Sequence, residues 1–281
     1  MQLRRVDKSE IADTVRRLCI EASCELPRDV YRALQRAREA EGDTLAGAVA
    51  QELLDNADIA LAEQVPICQD TGLAIVFLEI GRRCVMDFDL CEAVNEGVRR
   101  GYTEGYLRKS IVRHPLDRVN TGDNTPAVIH LKLTEGDRIR IIVAPKGGGS
   151  ENMSALKVFP PAAGREGVKG FVLDCVRQAG ANPCPPVILG IGLGGTAEAA
   201  ALLSKEALLR EIGSVNPDPL DRALEEELLE EVNGLGIGPA GYGGRTTALA
   251  VFVKSRPCHI ASLPVAVTFQ CHAARHREAV I

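Results

Sequence analysis

Three of the nine cysteines stand in settings unlike the others: Cys68 in Pro66-Ile-Cys-Gln-Asp-Thr-Gly72, Cys184 in Asn182-Pro-Cys-Pro-Pro186, and Cys271 in Phe269-Gln-Cys-His272. Proline, glycine or polar residues flank each one, so loops rather than apolar helix faces carry them. They are 116 and 87 residues apart, and only a fold can gather them. Three thiolates delivered by three loops suit an iron–sulfur cube that leaves one iron open to substrate. Spacing alone leaves two other readings in play, a zinc site and buried structural thiols. The absence of any CxxC or zinc-finger-spaced Cys/His set speaks against zinc.

Gln69-Asp70-Thr71-Gly72 places an amide and a carboxylate beside the first thiol. Asp70 suits general acid–base work or a hydrogen bond to substrate next to a metal centre; its plainer reading is an Asx-turn opening a strand. An aspartic-protease loop is excluded because no second Asp-Thr-Gly exists to share the proton. Lys146-Gly147-Gly148-Gly149-Ser150 reads as a backbone nest for an anion, with Lys146 adding a fixed charge; the alternative is a flexible turn. The run Gly190–Gly195 follows a strand and opens a helix, as a dinucleotide fingerprint would. The acid that should end a second strand roughly 20 residues later is missing, so close packing explains these glycines better. Cys258 beside His259 resembles a nucleophile with its base, but no sharp elbow presents it. Cys19, Cys24, Cys84, Cys91 and Cys175 read as buried structural thiols.

The elements that must position these groups begin with about 65 helical residues. Apolar periodicity predicts helices from Ser9, from Pro27 and over 44–63. A strand is expected over 72–80 and a helix over 89–108. Strands at 127–133 and 138–144, joined by Thr134-Glu-Gly-Asp137, predict an antiparallel hairpin. A helix over 164–180, a strand over 186–191, helices near 197–212 and 219–232, and strands over 246–254 and 260–269 complete the chain. The expected fold is α+β: an N-terminal helical region (1–65), then a mixed, partly antiparallel sheet packed by helices (66–281). No linker and no internal repeat is visible, so one domain over 1–281 is expected.

The 281 residues include 46% hydrophobic and 25% charged side chains, enough apolar matter for a full core. A net charge of −5, with no basic stripe or aromatic ladder, argues against nucleic acid. No stretch approaches a membrane span and the N-terminus lacks an apolar h-region. An odd number of cysteines without an export signal favours reduced thiols, hence a cytoplasmic location.

Taken together, Pro66-Ile-Cys-Gln-Asp-Thr-Gly72, Val119-Asn-Thr-Gly-Asp-Asn-Thr-Pro126, Ala144-Pro-Lys-Gly-Gly-Gly-Ser-Glu-Asn152, Cys184-Pro-Pro186, Gly194-Gly-Thr196 and His259 twelve residues before Cys271 occur in one order. This ordered set closely resembles the α subunit, or N-terminal domain, of the class I iron–sulfur fumarases and L-tartrate dehydratases. The resemblance spans nearly the whole chain and is weakest over the first ~40 residues.

The resemblance implies that Cys68, Cys184 and Cys271 bind a [4Fe–4S] cluster. It also implies that Gln69 and Asp70 act in catalysis, while Arg108, Lys146, Gly147, Gly148, Gly149 and His259 bind a small C4 dicarboxylate. Arg108 suits that task because a guanidinium forks onto a carboxylate; on residues alone it is an ordinary solvated helix residue, and His259 a satisfied core histidine. Reversible hydration of fumarate to L-malate is the leading expectation and L-tartrate dehydration the alternative. A non-catalytic iron–sulfur sensor or scaffold is the rival from another class. Family members complete the site with a further domain that this sequence does not contain, so a separate β subunit and an α2β2 assembly are expected.

Overall fold

The computed structural model describes residues 3–281. In chain order the elements are β1 (Arg4–Arg5), α1 (Lys8–Cys24), α2 (Arg28–Glu41), α3 (Leu45–Glu63), β2 (Leu73–Gly81), β3 (Cys84–Val85), α4 (Leu90–Glu104), β4 (Val128–Thr134), β5 (Ile139–Lys146), α5 (Gly148–Glu151), β6 (Ala155–Phe159), α6 (Gly164–Ala179), β7 (Val187–Gly194), α7 (Ala197–Ala207), α8 (Pro219–Asn233), β8 (Ala248–Arg256), β9 (Leu263–Gln270) and β10 (Arg277–Val280). Helices and mixed sheets make the fold α+β, as the sequence leads one to expect.

The chain forms two compact units where the sequence reads as one. Among the described residues, unit 1 comprises 3–26, 57–147 and 275–281; unit 2 comprises 27–56 and 148–274. No linker betrays the division, because α3 runs unbroken across one boundary and Gly147 alone separates β5 from α5 at another.

In unit 1 the strand order is β10-β5-β2-β4. β2 pairs antiparallel with β5 and parallel with β4, and β10 pairs antiparallel with β5. The expected hairpin between β4 and β5 therefore does not form. β2 lies between the two strands and takes both as partners, because its continuous apolar run Leu73–Leu78 belongs at the centre of a sheet rather than at its edge. Helices α1 and α4 cover one face, through Ile11, Val15 and Leu18 on α1 and Val94 and Val98 on α4, against Val76, Leu78, Ile141 and Val143. Asp89 caps α4 by accepting from the Glu92 N–H. The helix ends at Glu104, short of the expected 108, which leaves Arg108 in a loop.

In unit 2 the order is β6-β9-β7-β8, with β7 parallel to β8 and antiparallel to β9, and β6 antiparallel to β9. Alternate residues face opposite sides of a strand. Leu189, Ile191, Val251, Val253, Val265 and Val267 meet α6 and α8, whereas Gly190 and Gly192 face α7. A Cβ at Gly190 would come 2.0 Å from the Ser204 carbonyl oxygen, and one at Gly192 1.9 Å from that of Ala200. The glycine run thus lets a helix lie directly on the strand, as its packing reading requires. Each unit has the same order of pairings across its four-stranded sheet (antiparallel, antiparallel, parallel), a likeness invisible in the sequence. The sequence does not predict β6 and β10, nor the two-residue β1 and β3. β6 and β10 are both short, and both are sheet edges.

Candidate active site

The loop bearing Cys68 is held by its neighbours on both sides. Ile67 is buried and its N–H donates to the Ser23 carbonyl (3.0 Å), while the Cys68 thiol is partly exposed. The Asp70 N–H points at Cys68 Sγ (3.4 Å), and Gln69 Oε1 lies 3.6 Å from the same sulfur. Asp70 Oδ1 accepts from the Gly72 N–H at 3.1 Å. This is the Asx-turn of the plainer reading, and it leaves Oδ2 aimed at Gly147: a Cβ built there would sit 3.1 Å from that oxygen. Gly72 has φ of +71° and approaches the Lys146 carbonyl so closely that a Cβ would be 2.5 Å from it. Only glycine fits.

Two fully buried side chains tie this loop to Arg108. The Tyr102 hydroxyl reaches the carbonyls of Thr71 (2.9 Å) and Gly72 (3.1 Å), and burial pushes its pKa up, so it stays a donor. Asn124 donates from Nδ2 to the Gly72 carbonyl (3.2 Å) and accepts at Oδ1 from the Ser110 N–H (2.6 Å). Thr71 Oγ1 donates to the Arg108 carbonyl at 3.1 Å. Asn-Thr-Gly-Asp-Asn-Thr-Pro is therefore a brace that holds the Asp70 loop beside the Arg108 segment. The Arg108 side chain is exposed, whereas Lys146 at the end of β5 is only 5% exposed and Gly147 is buried. Gly148 and Gly149 begin the short α5 and are exposed.

Sequence reasoning does not single out Arg275, which unit 1 places beside the same residues. It is 3% exposed, with Nη2 3.4 Å from the Cβ position of Gly147. Four residues past Cys271, it carries no motif that would signal burial.

Unit 2 holds the other two cysteines at one end of its sheet. Ile188 on β7 is opposite Gln270 on β9, so the loop before β7 and the residue after β9 are neighbours. Pro183, Pro185 and Pro186 are buried while Cys184 between them is exposed, at φ of +55°. The Cys184 carbonyl accepts from His272 Nδ1 at 3.0 Å, joining the Cys184 and Cys271 loops. The loop 234–244, whose role the sequence leaves open, buttresses this corner. The Ala240 N–H donates to the Pro185 carbonyl (2.7 Å), and Gly241 packs so tightly on Ala181 that a Cβ would be 2.4 Å from its methyl. Glu41 Oε1 anchors the chain just beyond, accepting from the N–H groups of Arg245 and Thr246 at 2.7 Å each.

His259 occupies the turn between β8 and β9, at the opposite end of the sheet from Cys184 and Cys271. Its Nδ1 accepts from the Ala261 N–H (3.1 Å), which puts the ring proton on Nε2, facing solvent. The twelve-residue interval includes the eight extended residues of β9, so about 24 Å of strand separates its two ends. The chain's own fold does not bring His259 to Cys271. His259→Asn should accordingly leave the visible absorbance of a reconstituted cluster unchanged; a bleached variant would contradict this placement.

The donor set fits an iron–sulfur cluster. Three thiols on braced loops are at least partly exposed, and one already receives a backbone N–H. Other cysteines differ. Burial pushes Cys19 up to about 12 and Cys175 up to about 11, and it raises Cys24 and Cys84 as well, so these keep their protons. Cys91 departs from the buried-thiol expectation by lying exposed on α4. Among the described residues of either unit, no three His, Cys, Asp or Glu side chains gather as a mononuclear metal site. No described helix is long and apolar enough to cross a membrane.

A model of the fumarate hydratase (Fumerase) family matches residues 12–280. A Methanocaldococcus jannaschii protein provisionally named L(+)-tartrate dehydratase subunit alpha is 46% identical over 274 residues, 95% of each chain. The L(+)-tartrate dehydratase subunit alpha of Escherichia coli K12 is 35% identical over 257 residues, 90% of this chain and 84% of that one. The Shigella sonnei protein of the same name matches to the same extent, 35% over 257 residues. With a family match that runs almost end to end and relatives aligned over nearly their whole length, this chain belongs to the fumarate hydratase (Fumerase) family of hydro-lyase α subunits.

Proposed function

We propose that this chain is the α subunit of a [4Fe–4S] hydro-lyase that removes water from, or adds it to, a C4 dicarboxylate. The observation that carries the reading is the placement of Asp70: its N–H meets Cys68 Sγ at 3.4 Å, while its Oδ2 faces Gly147. One residue thus links a sulfur proposed as a cluster ligand to the buried Gly147 that follows Lys146.

Cys68, Cys184 and Cys271 would hold the cluster, which when bound supplies a Lewis acid that makes hydroxide a tolerable leaving group. Lys146 neutralises substrate charge from beneath the Gly147 turn, and the exposed Arg108 guanidinium forks onto a carboxylate. Backbone N–H groups of Gly147, Gly148 and Gly149 add donors for the charge that grows as the adjacent carbon loses its proton. Asp70, with Oδ1 fixed by Gly72, holds or moves a proton at Oδ2, and Gln69 orients the substrate hydroxyl. A second acid–base group comes from a separate β subunit, in an α2β2 assembly. A sensor role is disfavoured, since sensing requires no dicarboxylate pocket.

Fumarate and L-malate are the pair that the family description suggests. L(+)-tartrate is the second reading, favoured by the names of the relatives at 46% and 35% identity. The test is anaerobic reconstitution with iron and sulfide, with and without the candidate second subunit, assayed on malate, tartrate and methyl-substituted malates. Turnover should appear only with both subunits. Robust turnover by this chain alone would refute the two-subunit reading, and the preferred acid decides between substrates.

A further inference from the structure

We infer that Arg275 is a further substrate-binding residue, which takes one carboxylate of the dicarboxylate in a cradle floored by Gly147 and walled by Asp70. The inference rests on the hydro-lyase reading and adds a residue to its site.

Arg275 is 3% exposed, yet its Nε and Nη1 are buried without a hydrogen-bond partner. Among the described residues no carboxylate forms an ion pair with it. A guanidinium is always charged and offers five donors, and leaving two of its nitrogens buried and unmet is costly. A purely structural arginine is expected to find its acceptors within the fold. One that does not is set for an acceptor from outside, and a planar carboxylate matches the fork of a guanidinium.

The surroundings specify where that acceptor goes. The Cβ position of Gly147 is 3.1 Å from Asp70 Oδ2 and 3.4 Å from Arg275 Nη2. Both distances are tight for a Cβ, so the absence of a side chain at 147 is what lets the Asp70 carboxylate and the Arg275 guanidinium close in on either side of it. Gly147 does not lie in the left-handed region, so its backbone would accept any residue. Space, not conformation, is what glycine provides here. All three residues belong to unit 1. A carboxylate seated on Arg275 would present its neighbouring carbon to Asp70, the residue assigned to proton transfer above.

The test is calorimetric titration of the anaerobically reconstituted complex with succinate, a C4 dicarboxylate that cannot lose water, together with the melting temperature of each variant chain. Wild type should bind. Arg275→Met should bind about 100-fold more weakly, the loss of a paired charge-assisted contact, and without ligand it should melt no lower than wild type because an unmet buried charge has gone. Arg275→Lys should lose about 10-fold, keeping the charge without the fork. Gly147→Ala should also lose about 10-fold, because its methyl presses on Asp70 Oδ2 and Arg275 Nη2. If Arg275→Met does not fold, the lysine and Gly147 variants decide by the same measurement. Succinate affinity within about 3-fold of wild type in the folded variants would overturn the inference while the hydro-lyase reading stood. A reconstituted wild-type complex that binds none of succinate, malate and tartrate would overturn both.

Discussion

Cys68→Ser should yield a folded protein with no cluster absorbance and no measurable hydro-lyase activity. Serine is nearly isosteric, and the Cys68 side chain is only partly buried, so the fold has little reason to suffer. The chemistry changes completely. A cysteine sulfur binds iron as a soft ligand, whereas a hydroxyl stays protonated near neutral pH and is a poor ligand for a cube. The matched control is Cys91→Ser: Cys91 is exposed on α4, and its loss should alter neither absorbance nor rate. Full activity in Cys68→Ser, measured after anaerobic reconstitution with the second subunit, would remove Cys68 from the ligand set and with it the proposed chemistry.

Asn124→Ala should destabilise the protein by about 3 kcal/mol and reduce kcat/KM more than about 10-fold. Asn124 is wholly buried at φ of +61°, where asparagine is tolerated and alanine is strained. Its amide spans the carbonyl of Gly72 and the N–H of Ser110, so truncation leaves the latter without its acceptor. The kinetic loss follows from what those two points hold: the loop with Asp70 on one side, the Arg108 segment on the other. Against the ~5–15 kcal/mol typical of a domain, the protein survives and can be assayed. Asn124→Asp keeps the acceptor for Ser110 and loses only the donor to Gly72, so it should fall between wild type and alanine in both measures. Equal kcat/KM for all three, with urea melts that differ as stated, would confine Asn124 to stability.

What is legible in the sequence follows from which signals are local. Helical periodicity reveals α1, α2 and α3 within a residue or so, because their apolar stripes are set by neighbours three and four positions apart. Strand pairing is not local. The short link between β4 and β5 has the look of a hairpin turn, but a turn motif carries no information about β2, which precedes both strands and α4 in the chain. Only the sheet reveals that β2 separates them. Cys184 and Cys271 are recognisable from their flanking prolines and polar residues, while their shared corner depends on the register of β7 and β9. His259 is the reverse case. Twelve residues from Cys271 suggests nearness, and an intervening strand makes it distance. Burial without partners, the property that marks Arg275, has no sequence signature at all.

The return of β10 to the first sheet has a consequence in time. β5 needs β10 as its outer neighbour, through the pairing of Val143 with Arg277 and reciprocal bonds between Ile139 and Ile281. On a ribosome adding about 5–20 residues per second, β10 emerges about 7–26 s after β5. Throughout that interval the nascent chain carries an open strand edge, the template that promotes aberrant pairing between chains. Arg275 arrives with the same segment. The docking of the last strand would therefore seal the edge and deliver the arginine in one event, so that birth of the binding site coincides with disappearance of the aggregation hazard.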